Sequence, residues 1–299
     1  MRRRVRYSTA LIPVLGILLL CTASGSTARW GRDGHVITGL TAASRLPEDM
    51  PAFFRDAKDQ LGWLNYDPDR WRNDAMVESN QAFQYDHFID LEKVPDAALE
   101  KRSRFEYLIA LSKAGIERPE NMGLLPYRIL ELEQRLEQGF RQWRQATDPR
   151  ERVWIEQRII NDAGILGHYV ADGANPHHAT IHYNGWDAGT ANPQGYTTDR
   201  TLHRRFESDY VAANIRLEDV MDRATAPARQ LTDVRADVIA YIRKTGGLIR
   251  SLYQLEKEEP FSATTKSEAH KGFVVGRLAA GAEMLRSVWY TAWRASASP

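Results

Sequence analysis

From Tyr127 to Asp172 apolar side chains recur three and four residues apart almost without interruption, in "YRILELEQRLEQGFRQWRQA" (127–146) and "RERVWIEQRIINDAGILGHYVAD" (150–172). That period marks one face of an α-helix rather than the alternation of a strand, so both segments must bury an apolar stripe against other helices. The second is stopped by Gly173, Asn175 and Pro176. Helical spacing also surrounds Val36, Ile37, Leu40 and Leu46, and a helix runs from Asp96 to Gly115. Residues 51–92, broken by Pro51, Gly62 and Pro68, are expected to be mostly loop with short helices. A long loop follows over 173–200, and helices resume at 200–222, 229–257 and 267–296. No stretch alternates convincingly, so the expected class is all-α, a single compact multi-helix domain over residues 30–299 with long loops.

The opening "MRRRVRYSTALIPVLGILLLCTASGSTARW" places Arg2, Arg3, Arg4 and Arg6 before an apolar run from Ala10 to Cys21, then small polar residues. Basic, apolar and small-residue regions in that order are the pattern of a secretory signal. The apolar run is shorter than the roughly 20 residues needed to span a bilayer. Residues 1–29 are therefore expected to be removed, and the mature chain to be secreted or periplasmic with no transmembrane segment. The full chain carries 40 Lys+Arg against 39 Asp+Glu, and losing the basic leader makes the remainder slightly acidic. A strong non-specific nucleic-acid binder would instead carry a basic stripe. Cys21 is the only cysteine, so an exported mature chain has neither disulfide nor thiol nucleophile. No stable protein partner is predicted.

Three of the eight histidines fall in "GHYVADGANPHH" (167–178). His168 and Asp172 stand four residues apart on a helix, so both project from one face, a spacing that suits two ligands of one metal ion. "LHRRFESDY" repeats the device with His203 and Glu207. One such pair is often a surface ion pair; two of them, with His178 just beyond the first, point to metal, and zinc suits mixed imidazole and carboxylate donors. Upstream, "WGRDGH" brings His35 close behind Trp30, and "QYDHFIDLE" sets His87 among aromatic and acidic residues.

Together WGxxGH, HFID, HYxxDxxxPxH and HxxxE resemble the zinc-dependent phospholipase C and single-strand nuclease superfamily, whose nuclease branch is the S-one/P-one nucleases. The resemblance runs over nearly the whole chain after the leader. It implies a largely helical domain holding three zinc ions in a cleft. His168, Asp172, His87 and an upstream aspartate would hold one ion, and His178, His203 and Glu207 a second. Asp172 would bridge to the third, completed by His35 and the amino nitrogen and carbonyl oxygen of Trp30. "DPDRWR" offers Asp67 with Arg70 or Asp69 with Arg72 as the upstream aspartate and its phosphate-binding arginine, and we prefer Asp69 and Arg72. Clustered zinc lowers the pKa of bound water and neutralises phosphoryl oxygens, so no protein nucleophile is needed. Two departures stand out: ligation by Trp30 requires cleavage immediately after Arg29, and the nuclease branch tends to carry aspartate at the position of Glu207.

The implied activity is hydrolysis of phosphoric diesters. Phe88 and Asp90 occupy the nuclease positions for stacking and hydrogen-bonding a base. "LHRRFESDYV" and "RLAAGAEMLRSVWYTAW" lean toward the phospholipase C branch, with Tyr85, Tyr183 and Trp186 as candidate aromatic faces for a choline headgroup. A catalytically inert secreted zinc-binding domain is the third alternative. His177 is expected not to be a ligand, His182 to line the loop, and His270 to be structural or exposed.

Overall fold

The computed structural model describes residues 31–297; the segment expected to be removed and Trp30 lie outside them. Among the described residues there are helices and no strand, with a lone bridge between Tyr183 and Gly185. The helices that build the core are α1 (Arg32–Ala43), α2 (Lys58–Leu64), α3 (Arg104–Lys113), α4 (Leu125–Gln145), α5 (Pro149–Asp172), α6 (Val234–Gly246), α7 (Ile249–Glu258) and α8 (Glu268–Ala295). One hydrophobic cluster runs from Ile37 in α1 to Trp293 in α8, as expected of a single domain. No described helix is long and apolar enough to cross a membrane.

α4 and α5 form the most extensive helix pair, and α8 packs on both. α4 buries Ile129, Leu132, Leu136 and Phe140, spaced three and four apart, along one stripe. Its approach is set by Gly123, whose φ of 84° suits glycine and whose absent side chain lets the Phe88 carbonyl pack close; a Cβ there would lie 2.0 Å from that oxygen. α5 begins on an Asp148 cap, whose side chain accepts the Arg150 amide at 2.8 Å, with Pro149 in the first turn. Trp154 in its first half is exposed, whereas Asp162 to Asp172 are buried without a break. A helix buried on every side is unusual for a chain this polar, and the enclosed half carries His168 and Asp172.

α8 is tied to α5 by the Trp289 indole, which donates to the Ala163 carbonyl at 3.1 Å. Its Arg286 is fully buried and donates to the carbonyls of Ala42, Thr41, Ala224 and Ala226. Two of these belong to the C-terminal end of α1, where carbonyls lack intrahelical donors. Arg286→Ala leaves a cavity and several buried carbonyls without donors, with an expected loss of about 3–5 kcal/mol of unfolding free energy. Denaturant melts should show it, and a loss under about 1 kcal/mol would mean that water takes over the guanidinium's contacts.

Three expected helices differ in detail. The segment 96–115 is broken between Asp96–Leu99 and α3, because Ser103 caps α3 by accepting the Phe105 amide at 3.2 Å. The segment 229–257 divides into α6 and α7 at Gly246 and Gly247. The segment 200–222 becomes Leu202–Arg204, a π-helical turn over Arg205–Tyr210, Val211–Asn214 and Leu217–Arg223. π-turns interrupt α-helices frequently at functional sites.

Candidate metal centre

Six local elements converge on the buried end of α5. α1 supplies His35, the turn Asp67–Arg70 supplies Asp69, and the 3-10 turn Gln84–His87 supplies His87. α5 brings His168 and Asp172, the 3-10 turn Pro176–Ala179 brings His178, and the stretch from Leu202 through the π-turn brings His203 and Glu207. Three groups emerge in which donor atoms lie within 4.8 Å of one another: His35, His168 and Asp172; Asp69, His87 and His168; and His178, His203 and Glu207.

Asp172 joins them. Its Oδ2 lies 3.0 Å from His87 Nδ1 and 3.3 Å from His168 Nε2, while Oδ1 lies 3.6 Å from His35 Nε2 and 3.4 Å from His178 Nδ1. In the third group His203 Nε2 stands 2.9 Å from Glu207 Oε2 and 3.2 Å from His178 Nε2. Four donors at 2.0–2.1 Å from a tetrahedral zinc stand about 3.3 Å apart, which these separations match.

Backbone carbonyls orient two of the rings. His168 Nδ1 lies 2.9 Å from the Asn65 carbonyl and His178 Nδ1 lies 2.7 Å from that of His87. Donation from Nδ1 in each case turns Nε2 toward the cluster as the electron-pair donor. Asn175 donates to Glu207 Oε2 at 3.0 Å, and its Oδ1 accepts the His177 amide at 3.1 Å, so one amide fixes both a carboxylate and the turn carrying His178. These supporting residues escaped sequence inspection. Asn65 acts through its backbone, which carries no residue-type signal, and Asn175 reads as an ordinary loop breaker. Gly167 leaves the space that Asn65 occupies, since a Cβ there would lie 2.3 Å from the Asn65 amide nitrogen.

The buried carboxylates favour a nearby positive charge. Asp172 and Glu207 are fully buried and the Asp69 side chain is 7% exposed. Arg72, 3.7 Å from Asp69, is the guanidinium that pairs with this set. Burial, then neighbouring His168, holds the His35 imidazole well below its ordinary pKa, against the pull of Asp172 and of the nearby Asn65 side chain. Neither His35 ring nitrogen reaches hydrogen-bond geometry with any described group, Asn65 included. Buried carboxylates are costly without a compensating positive charge, and an orphaned ring nitrogen of His35 facing them suits ligation. The donor set therefore fits metal ions.

Between the two aspartates left open by the sequence, the structure brings Asp69 to the cluster. Asp67 turns away, accepting from Arg70 at 3.2 Å and from the Trp71 indole at 3.2 Å. A cavity of about 90 Å³ opens beside the centre, lined by Arg72, Trp71, Phe83 and His87 among others. Phe88 is half-buried, and the segment it begins is stitched to the centre by the Ile89 amide, which donates to the His178 carbonyl at 2.9 Å. Burial pushes the Asp90 carboxyl up to about 7, opposed by Lys93 and assisted by Glu92 and Asp187.

The other histidines divide by environment. His177 is buried and stacks on His203 with ring centroids 4.7 Å apart; burial holds its imidazole down to about 3, against the Tyr183 backbone. His182 stacks on Trp186 at 3.7 Å and accepts the Asp187 amide at 3.0 Å. That stacking, with Tyr196 and Tyr253 on its other sides, leaves Trp186 only 4% exposed, so its face is not open to a headgroup as expected. Tyr183, by contrast, is 50% exposed with its ring 6.5 Å from that of His203. His270 is buried, its Nε2 lying 2.8 Å from the Glu259 carbonyl and 3.1 Å from that of Leu255, which settles it as structural. Trp30 as a ligand lies outside the described residues; the first of these, Gly31, donates its amide to the Glu207 carbonyl at 3.1 Å. Comparison with protein-family models, with curated proteins and with solved structures finds no significant match to this chain.

Proposed function

We propose that this protein is a secreted or periplasmic zinc-dependent hydrolase of phosphoric diesters with phospholipase C-like specificity. The observation that carries the proposal is the clustering of five buried or nearly buried histidines with Asp69, Asp172 and Glu207, beside a cavity that Arg72 and His87 line. Mixed nitrogen and oxygen donors favour zinc, and the donors, with His168 shared between two of the three groups, suit a cluster of adjacent ions. Bound zinc supplies an acidified water and neutralises charge on the phosphoryl oxygens.

The chain's own residues then divide the work. Asp69 stands between the imidazoles and Arg72, with Oδ2 4.0 Å from His35 Nε2 and Oδ1 3.7 Å from Arg72, and it accepts the proton of the attacking water. Arg72, on the cavity wall, clamps the phosphoryl oxygens through its planar donors. Trp71 and Phe83 line the same cavity, with ring centroids 5.7 Å apart. Aromatic faces at this spacing favour a quaternary ammonium headgroup, which supports the phospholipase C branch. A single-strand nuclease is the second reading, favoured by Asp90, whose half-protonated carboxyl near neutrality can both donate to and accept from a base edge.

Hydrolysis of bis(p-nitrophenyl) phosphate tests the reaction class. We expect activity that chelator abolishes and zinc restores. A metal-loaded protein that leaves the ester intact would support an inert zinc-binding domain and overturn the proposal. Phosphatidylcholine and denatured DNA under the same conditions separate the branches, and cleavage of the DNA alone refutes the phospholipase lean.

A further inference from the structure

A second cavity, of about 350 Å³, lies between α6, α8 and the segment around Arg229, and none of the metal-centre residues lines it. Its charged lining is Arg229, Lys244 and Arg277 against Asp237 and Glu283, three positive groups to two negative. The acids are engaged within the fold. Asp237 pairs with Arg229 at 3.5 Å, and Glu283 accepts the Ala226 amide at 3.0 Å. Among the described residues the side chain of neither Lys244 nor Arg277 makes a hydrogen bond or ion pair. Thr245, 1% exposed, also lines the cavity, and its hydroxyl oxygen has no hydrogen-bond partner.

Such an arrangement is costly without an anionic partner. Arg277 is half-buried and forms no ion pair with the cavity's two acids, and burial depresses its pKa, so its guanidinium is partly desolvated without a direct counter-charge. A buried hydroxyl with no partner adds to the cost. Both costs fall if the cavity receives an anion. A guanidinium offers parallel donors to a phosphate, the Lys244 ammonium at the exposed edge adds a point charge, and the Thr245 hydroxyl adds a donor. Apart from Ser287, whose hydroxyl donates to the Glu283 carbonyl at 2.9 Å, the remaining lining is mostly apolar, with Pro227, Ala240, Ala280, Met284 and the Tyr241 ring. Tyr241 commits its hydroxyl to the Val170 carbonyl of α5 at 2.8 Å, leaving the ring as a wall.

We propose that this cavity binds a small organic phosphate, its phosphoryl group between Arg277, Lys244 and Thr245 and its apolar body on Tyr241 and Met284. The site is independent of the proposed phosphodiester hydrolysis. The volume falls at the lower end of small-molecule pockets, roughly 300–1,000 Å³, so the ligand is a compact one.

Calorimetric titration of the full-length protein with phenylphosphonate, which has no phosphoester bond to hydrolyse, tests the site. Phenylphosphonate should bind, and phenol should bind far more weakly. Arg277→Gln and Lys244→Ala should each weaken phenylphosphonate roughly tenfold, the scale of one charge-assisted hydrogen bond. Arg72→Gln, which alters the metal-centre cavity, should leave that affinity in place. The proposal is overturned by absence of binding at millimolar ligand, by binding that both cavity variants leave unchanged, or by binding lost in Arg72→Gln alone. Lys244 is exposed, so its variant keeps the test decisive if Arg277→Gln fails to fold.

Discussion

Replacing Asp172 by Asn should release more than one zinc ion per molecule and lower phosphodiester hydrolysis on the order of 100-fold or more. The expectation rests on how both carboxylate oxygens are used: Oδ2 faces His87 and His168, while Oδ1 faces His35 and His178. An amide keeps one oxygen but turns an –NH₂ toward the other pair of rings, and an –NH₂ cannot ligate a cation. Elemental analysis of the purified variant measures the loss directly. A melting curve gives a second readout that does not depend on catalysis. Metal bound at a thousand times its dissociation constant stabilises the folded state by about 4 kcal/mol, so chelation should lower the melting temperature of the unsubstituted protein by about 10 °C. The Asp172→Asn protein should respond far less. Unchanged zinc content would sink the bridging role of Asp172, whatever the activity did.

Arg72→Gln should lower kcat/KM by roughly 10²–10³ while leaving zinc content and the melting temperature nearly unchanged. The guanidinium side chain is 31% exposed on the cavity wall, so its truncation opens little buried space. Its proposed work is to meet charge that grows on the phosphoryl oxygens during attack, where a fixed donor contributes most. The loss should therefore appear in kcat as well as in KM. Metal loss alongside the activity loss would instead make Arg72 a prop for Asp69, its partner at 3.7 Å. A residue acting only through Asp69 should also be rescued by lysine, which keeps the charge without the planar fork; a phosphate clamp should not.

The helical class was legible because α4, α5 and α8 carry apolar periodicity over twenty residues or more, longer than a turn or loop can disguise. The breaks were not. Ser103 caps α3 through a local hydrogen bond, and Arg205–Tyr210 winds as a π-turn although its residues show no departure from helical spacing. The two i, i+4 pairs were visible in the sequence, and so was the proline-broken link that returns His178 to the cluster. Trp186 shows the opposite limit: an aromatic residue in a polar loop gave no sign that His182, Tyr196 and Tyr253 would cover it.

By itself the sequence determined which donors exist, that they pair on helices, and that the chain packs as helices around one core. These are properties of short-range periodicity, which a linear string preserves. Tertiary structure alone decided that Asp69 rather than Asp67 reaches the cluster, because the outer aspartate is held by Arg70 and Trp71. It also decided that Asp172 stands among four imidazoles drawn from α1, the Gln84–His87 turn, α5 and the Pro176–Ala179 turn. Meetings between residues as distant in sequence as His35 and His178 are set by how helices pack, and no local pattern encodes them.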